Sequence, residues 1–548
     1  MHHNDAGESG GRHLVHSHAH EEIPGTVDMS LTEGDNSAYG LALYPIPSDD
    51  PNDPLQWPRW KKLTILALVS LYSFFANGAL FGPSVYVNYT AGIFKITPNV
   101  TSRLVSYPNL AFGYGSLVFV PLYHRYGRRP VMILSLIIYM GGLLGCALSN
   151  SYATLMAFRV IHAFGSSVCE ALPAQAVGDI FFLHERGNAL GWYTFALSSG
   201  TVAALMAGYM LNGGNSYKLF FWVYFAVAAV LAICTVLFFE ETMYFREPRA
   251  STSGSDTNVG DVDGTKSETN IGSSERSEVR KEPREGESVP ARKTWRQQLK
   301  IFSIVDKDIN MLMMAIRSFT YFAVPPVFWV CSTYGMVIGL AALAFTSTFP
   351  GIVAAPPYNW RLEQTGLISL ASLVGYALAA IPFGTLPDKF ASYKARKNGG
   401  IREAEYRLWC LVPVFFIAPA SLILYGYSAE EQLHWIGLIF GVGMFQFGSF
   451  FYMTYTLAYA MDSYESNIPE MLVAMNIGKQ SISFGFGFKV LDWIAQYGYI
   501  KVFAGIFTGV MTINNLAVVI FLVSGKNLRR WIGQTWLARM HRKSLRPG

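Results

Sequence analysis

Apolar runs of about 20 residues, long enough for a helix to cross a hydrocarbon layer of roughly 30 Å, recur along this chain and dominate what it can fold into. They fall at 62–87, 103–123, 131–149, 153–178, 189–210 and 219–239, then, after a polar gap, at 319–347, 366–386, 408–427, 434–460, 470–490 and 501–523. Each reads as one span. The expected fold is an all-α polytopic membrane protein with twelve transmembrane helices in two six-helix bundles. Composition agrees: 51% of the 548 residues are hydrophobic and only 14% charged, too little polar surface for a soluble domain.

Basic residues in the short loops orient the chain. Arg125, Arg128 and Arg129 follow the second run, Arg186 the fourth, Lys389, Lys394, Arg396, Lys397, Arg402 and Arg407 the eighth, and Lys526, Arg529 and Arg530 the twelfth. The alternate loops carry little beyond Lys95, Lys218, Arg361 and Lys501. The positive-inside rule then places both termini in the cytoplasm. The sequons at Asn88 and Asn99 fall in or beside the first outer loop, as candidate glycosylation sites.

Residues 247–294 lack Phe, Trp and Tyr and are dense in Ser, Gly, Glu, Lys and Arg, so they cannot bury enough apolar surface to offset chain entropy. The expected organisation is a disordered cytoplasmic tail over 1–60, a bundle over 61–240, a disordered cytoplasmic linker over 241–310, a second bundle over 311–525 and a cytoplasmic tail over 526–548. The histidines at 2, 3, 13, 16, 18 and 20 belong to the solvated tail rather than to a metal site. All five cysteines lie inside apolar runs and imply no disulfide framework. A net charge of +5 is too small to argue for nucleic acid. The partners implied are the bilayer and a small-molecule substrate, with no cofactor and a monomeric chain.

Charges inside helices are expensive, so each one marks a candidate site. Arg159, His162, Ser166 and Glu170 are spaced to share one helical stripe, which is expected to face a cavity rather than lipid. For Arg159 a packing role, neutralising an acid from a neighbouring helix, stands level with a functional one. Burial favours the neutral form of a carboxyl and brings proton exchange toward neutral pH. Glu170, three residues before Pro173, is therefore the first candidate for substrate or proton coupling. Asn476, Lys479 and Ser483 form a second stripe, in which Lys479 lies too deep to snorkel and should meet an acid or an anionic ligand; Glu170 is one possible partner. Asn77 and Pro83, Arg317 with Pro325 and Pro326, and Gln446 with Tyr452 and Tyr455 are further candidates to line a broad aromatic, weakly polar cavity. No phosphate loop, HExxH, paired CxxC or GxSxG occurs, so neither ATP hydrolysis nor another catalysed reaction is implied.

The run VPLYHRYGRRP resembles the GxxxDRxGRR signature of the major facilitator superfamily, with Arg125, Gly127, Arg128 and Arg129 matching; GTLPDK resembles its weaker repeat through Gly384, Asp388 and Lys389. DPLQWPRWKK, EALPAQAVGDIFFLHERG, FFEETMYFRE, RSFTYFAVPPVFWVCSTYG, NGGIREAEYRLW and DSY are similar to the fungal twelve-helix drug:proton antiporter branch, over about residues 53–523. The resemblance implies two bundles rocking about a central cavity. It also implies a cytoplasmic latch of His124, Arg125, Gly127, Arg128, Arg129, Asp388, Lys389, Asp179, Glu185 and Arg186. Three features depart from the pattern: Val120 replaces the first glycine of the signature, His124 stands where it has an acid, and SSGTVAALMAGYM lacks the proline that antiporters carry in the fifth helix. The function implied is proton-coupled efflux of drugs or secondary metabolites at the plasma membrane. Uptake of organic cations or polyamines is the alternative, and a non-transporting nutrient sensor the third reading.

Overall fold

Apolar continuity sets the helices of this chain, and prolines interrupt the backbone bonding of several of them. The computed structural model describes residues 26–28, 48, 50–211, 216–244, 293–298, 300, 305–307, 309–399, 401–463 and 468–542, and is almost wholly helical over them. Helix α1 covers Arg59–Phe81 and passes through a tight turn at Gly82–Tyr86 into Val87–Phe94. It is followed by α2 (Pro98–Tyr126), α3 (Arg128–Leu148), α4 (Tyr152–Ser166, then Val168–Ile180), α5 (Leu183–Ser199, then Ala203–Leu211) and α6 (Lys218–Phe238). The second series is α7 (Met311–Thr320, Pro325–Val337, a widened stretch Ile338–Phe345, and Thr346–Ala354), α8 (Ile368–Phe383), α9 (Val414–Glu430), α10 (Trp435–Ser463), α11 (Ile468–Ile500), α12 (Thr508–Gly533) and a short α13 (Trp536–Arg542).

Among the described residues ten helical stretches are long and apolar enough to cross a membrane. One of them, Pro469–Gly533, holds both α11 and α12, with the chain leaving helical geometry at Gly498. Helix α2 has the length, at 29 residues, but is more polar, with His124 and Arg125 in its last turn. Buried apolar side chains form two clusters: one drawn from residues 57–239 with Met314, Leu343, Val473 and Ile477, the other from 321–538. Outward-facing Ile137, Val230, Phe416 and Val523 are the side chains that belong against hydrocarbon.

Two expectations change at the edges. Thr26–Asp28, expected within a disordered tail, pairs antiparallel with Ile401–Glu403. Residues 241–244 and 305–307, expected within a disordered linker, pack on the bundle: the Asp306 N–H donates to the Arg125 carbonyl at 2.8 Å, and Glu241 caps α3 as described below. The histidine tract and most of 241–310 lie outside the described residues.

Helices α1, α2 and α4 are tied at one residue. Pro83 and Pro108 have no N–H to give the carbonyls of Ala79 and Leu104, four residues back. Fully buried Arg159 supplies both, from Nη1 to Ala79 at 2.7 Å and from Nε to Leu104 at 3.0 Å, while Nη2 donates to Leu80 at 2.9 Å. Its Nη1 also lies 3.1 Å from His162 Nε2. The acid partner expected for Arg159 is thus replaced by backbone carbonyls. The same logic holds at Pro173, where the Cys169 carbonyl accepts from Ser73 Oγ at 2.8 Å and Tyr193 Oη at 3.3 Å. Arg159→Leu leaves three buried carbonyls without that donor, at about 1–3 kcal/mol each. Its melting temperature in detergent should fall by many degrees, and Pro108→Ala in the same chain, which returns an N–H to Leu104, should recover part of the loss.

At the other end of the chain, α13 turns back under α7. Its His541 ring is buried, stacks on Tyr321 with centroids 3.9 Å apart, and lies with Nε2 2.7 Å from Thr320 Oγ1. Burial, and then the nearby Arg317 charge, push the His541 pKa down to about 4. A ring that binds protons less readily when docked than when free contributes stability above its ordinary value of 6.5, lost as pH falls toward about 4. Amide hydrogen exchange over 536–542 should therefore quicken, relative to the intrinsic rate, between pH 7 and pH 5, and His541→Gln should remove that dependence.

Candidate transport site

The bends described above point polar side chains between the two clusters. A cavity of about 120 Å³ lies there. The first series supplies Asn77, Leu80 and Phe81 from α1, Phe112 from α2, Glu170 from α4, and Leu197, Ser198 and Thr201 from the α5 region. The second series supplies Val337 and Ile338 from α7, Ser372, Leu373 and Tyr376 from α8, Gln446, Ser449 and Met453 from α10, and Gln480 from α11. The wall is apolar and aromatic, with amides, hydroxyls and one carboxylate.

That carboxylate is paired across the two series: Lys479 Nζ lies 2.5 Å from Glu170 Oε2. Chain folding brings Glu170 to the cavity because α4 breaks at Ser167, whose N–H reaches back to Phe164, just ahead of Pro173. Tyr193 Oη donates to the Glu170 carbonyl at 2.6 Å and fixes that turn. Lys479 is buried in the α11 wall, outside the cavity lining. A second link between the series, Asn109 Nδ2 to Ser483 Oγ at 2.9 Å, lies on the same α2–α11 contact.

Other candidates have different places. Asn77 lines the cavity and donates to the Leu197 carbonyl at 2.7 Å; Gln446 lines it and accepts from Ser449 Oγ at 2.7 Å. Asn476 is buried and outside the lining. Arg159 and His162, expected to face a cavity, are instead packed among α1, α2 and α4 as described, because the proline-freed carbonyls lie there. Arg317 leaves the cavity set for an ion pair with Glu470 at 2.9 Å. Tyr452 donates to Asn515 Oδ1 and Tyr455 to the Phe383 carbonyl, both at 2.8 Å, which also removes them from the lining. Gln480, Tyr376 and Ser449 were not singled out from sequence; they carry no charge to mark them. Asn88 sits inside the helix Val87–Phe94, and the Asn99 amide, the atom a glycan would modify, donates to Asp492 Oδ1 at 2.5 Å, so neither sequon is in an open loop.

At the end bearing the basic loops, Gly127, Arg128, Arg129 and Asp179 of the expected latch gather about Glu241, which sequence reading passed over although FFEETM carries it. Its carboxylate accepts the backbone N–H of Arg128 at 2.8 Å, of Arg129 at 3.1 Å and of Met243 at 3.0 Å, capping the positive end of α3. Gly127, at φ 100°, makes the approach possible, since a Cβ there would sit 2.3 Å from the carboxylate. Burial pushes the Glu241 carboxyl above its usual range, opposed by those N–H groups and the Arg128 charge. Arg128 Nε reaches Asp179 Oδ2 at 3.1 Å, which also accepts from Thr242. Arg129 donates to the Val236 and Gln298 carbonyls, and Arg186 to Gly178. Glu185 lies in the first turn of α5. The His124 ring packs at 4.6 Å from Tyr123, and Arg125 Nη1 crosses to the Ile309 carbonyl at 3.2 Å, ahead of α7. Lys389 is exposed on the helix Leu386–Lys397, and the Asp388 side chain lies outside the described residues.

A sequence profile described as Major Facilitator Superfamily matches residues 64–488. The chain belongs to this superfamily. Among similar members are Protein HOL1 of Saccharomyces cerevisiae, 25% identical over 94% of this chain and 96% of that protein. The MFS-type transporter penM of Penicillium rubens is 25% identical over 78% of each chain. The crystal structure of a bacterial homolog to the human lysosomal transporter Spinster, inward-facing and unoccupied, covers 90% of this facilitator chain and all of its own at 14% identity, with a TM-score of 0.48. Membership of the superfamily, with the apolar helices, makes this chain a multi-pass membrane transporter.

Breaking the Glu170–Lys479 pair from one side strands a charge. Each of Glu170→Gln and Lys479→Met should cost about 2–3 kcal/mol, less than a fully dry pair because the Glu170 side chain keeps 19% exposure. Chemical unfolding in detergent should show the double variant well short of the sum of the two.

Proposed function

We propose that this facilitator is a twelve-crossing secondary carrier with both termini cytoplasmic, working as a monomer by alternating access in the plasma membrane to export small organic molecules in exchange for protons. The twelve crossings are the ten apolar stretches, with α11 and α12 counted apart at Gly498 and α2 added. The end with the Glu241, Arg128 and Asp179 cluster is the cytoplasmic one, on the positive-inside rule. We assign it no catalytic step.

The observation that carries the proposal is the Glu170–Lys479 pair, one partner from each series, set in the wall of a cavity that both series build. A charge pair between two moving bodies can be made in one state and broken in another, and a carboxylate at a mostly apolar wall can trade one cationic partner for another. Uptake of an organic cation or polyamine is the second reading, favoured because Glu170, and no basic side chain, lines the cavity among the described residues. Inside-out vesicles under an imposed pH gradient test the direction. Export predicts accumulation of organic probes only when the lumen is acidic, abolished in Glu170→Gln; uptake predicts the opposite gradient dependence, and flux indifferent to pH would remove proton coupling altogether.

A further inference from the structure

We infer that the substrate of this carrier is an organic cation and that Lys479 is its tethered stand-in, occupying Glu170 in the empty protein and giving up a proton when the substrate takes its place. The inference rests on the transport reading above and names its ligand and its exchange partner.

Access comes first. Glu170 is the one ionisable acid or base among the cavity-lining residues, tyrosine aside, and Lys479 approaches it from within the α11 wall. A ligand entering the cavity thus meets a carboxylate, already neutralised from behind by an ammonium. Tyr193, Cys169, Cys331, Tyr334 and Tyr376 stand around the pair on α5, α4, α7 and α8. All are neutral near pH 7, so nothing among these neighbours balances an added charge.

Charge conservation in a poorly hydrated site then fixes the exchange. The empty pair sums to zero. Seating a cation on Glu170 while Lys479 stays protonated leaves a net positive charge among apolar walls, a costly state. The balanced step is R–NH3+ plus Glu170–COO−···+H3N–Lys479, giving Glu170–COO−···+H3N–R plus Lys479–NH2 plus H+. The only bond broken is one N–H of Lys479, whose electron pair stays on Nζ while the proton leaves to water on the open side. Each cycle moves one cation one way and one proton the other, with no net charge. Return of the empty carrier requires the lysine to reclaim its seat, since a bare buried carboxylate resists closure.

The test uses purified full-length protein in liposomes with radiolabelled tetraethylammonium, which is permanently charged and carries no proton of its own. Wild type should accumulate it against an opposing proton gradient, with an equal proton flux read by a lumenal dye and no dependence on membrane potential. Lys479→Gln should lose net gradient-driven flux by about tenfold or more and lose several-fold less of its cation-for-cation exchange. Glu170→Gln should lose both. Gradient-driven accumulation surviving in Lys479→Gln, or wild-type flux that follows membrane potential, overturns the stand-in role. Wild type that moves an uncharged organic dye but no tetraethylammonium overturns the cationic substrate and leaves the carrier reading intact, whereas wild type that moves neither overturns both. Size-exclusion profiles matching wild type, with the double variant Glu170→Gln, Lys479→Gln as a charge-balanced control, separate misfolding from lost coupling.

Discussion

A carbonyl freed by proline inside hydrocarbon has no water to turn to, and in the first series of this protein three such carbonyls are supplied with side-chain donors. Arg159 answers for Pro83 and Pro108 together, and Ser73 with Tyr193 answers for Pro173. Without those donors the bends in α1, α2 and α4 would be too expensive to keep. With them, the bent segments present Asn77, Phe81, Phe112 and Glu170 to one space. Fully buried Arg159 thus acts through the backbone rather than through a ligand.

The charge pair at the cavity and the capped cluster at the basic end divide the work. Glu241 binds the start of α3 to the residues that follow α6, and Arg128 binds the same corner to α4 through Asp179, so these helices are coupled as a body. The Glu170–Lys479 pair instead spans the two series. A carrier that switches between states needs an element made in one and broken in another, and under the function proposed above the Glu170–Lys479 pair is that element.

Sequence reading reached the elements more readily than their contacts. Apolar length located the helices, including α2, whose run at 103–123 is visible even though its ends are polar. Glu170 and Lys479 stood out singly because a charge in an apolar run is conspicuous. Their contact was left open because residues 309 apart in the chain carry no local trace of meeting. Neither reading of Arg159 foresees its carbonyl partners, for a related reason: a backbone carbonyl has no letter in a sequence. Pro83 and Pro108 were the available signal, since each announces an unpaired carbonyl four residues earlier. Glu241 was hidden inside a recognised run because its partners are the N–H groups of Arg128 and Arg129, not their side chains. The neutral cavity residues Gln480, Tyr376 and Ser449 gave no signal at all, being ordinary residues made special only by position.

At the end away from the basic loops, α5 meets the turn Leu362–Leu367 that opens α8 with backbone close against backbone at two glycines. A Cβ on Gly208 would lie 2.9 Å from the Glu363 carbonyl oxygen, and one on Gly366 would lie 2.5 Å from the Leu205 Cα. Contacts formed by missing side chains have no rotamers to order when they close and none to release when they open. Under the alternating access proposed above, making or breaking this contact would therefore be nearly free of side-chain entropy in either direction, its fit being set by bare peptide.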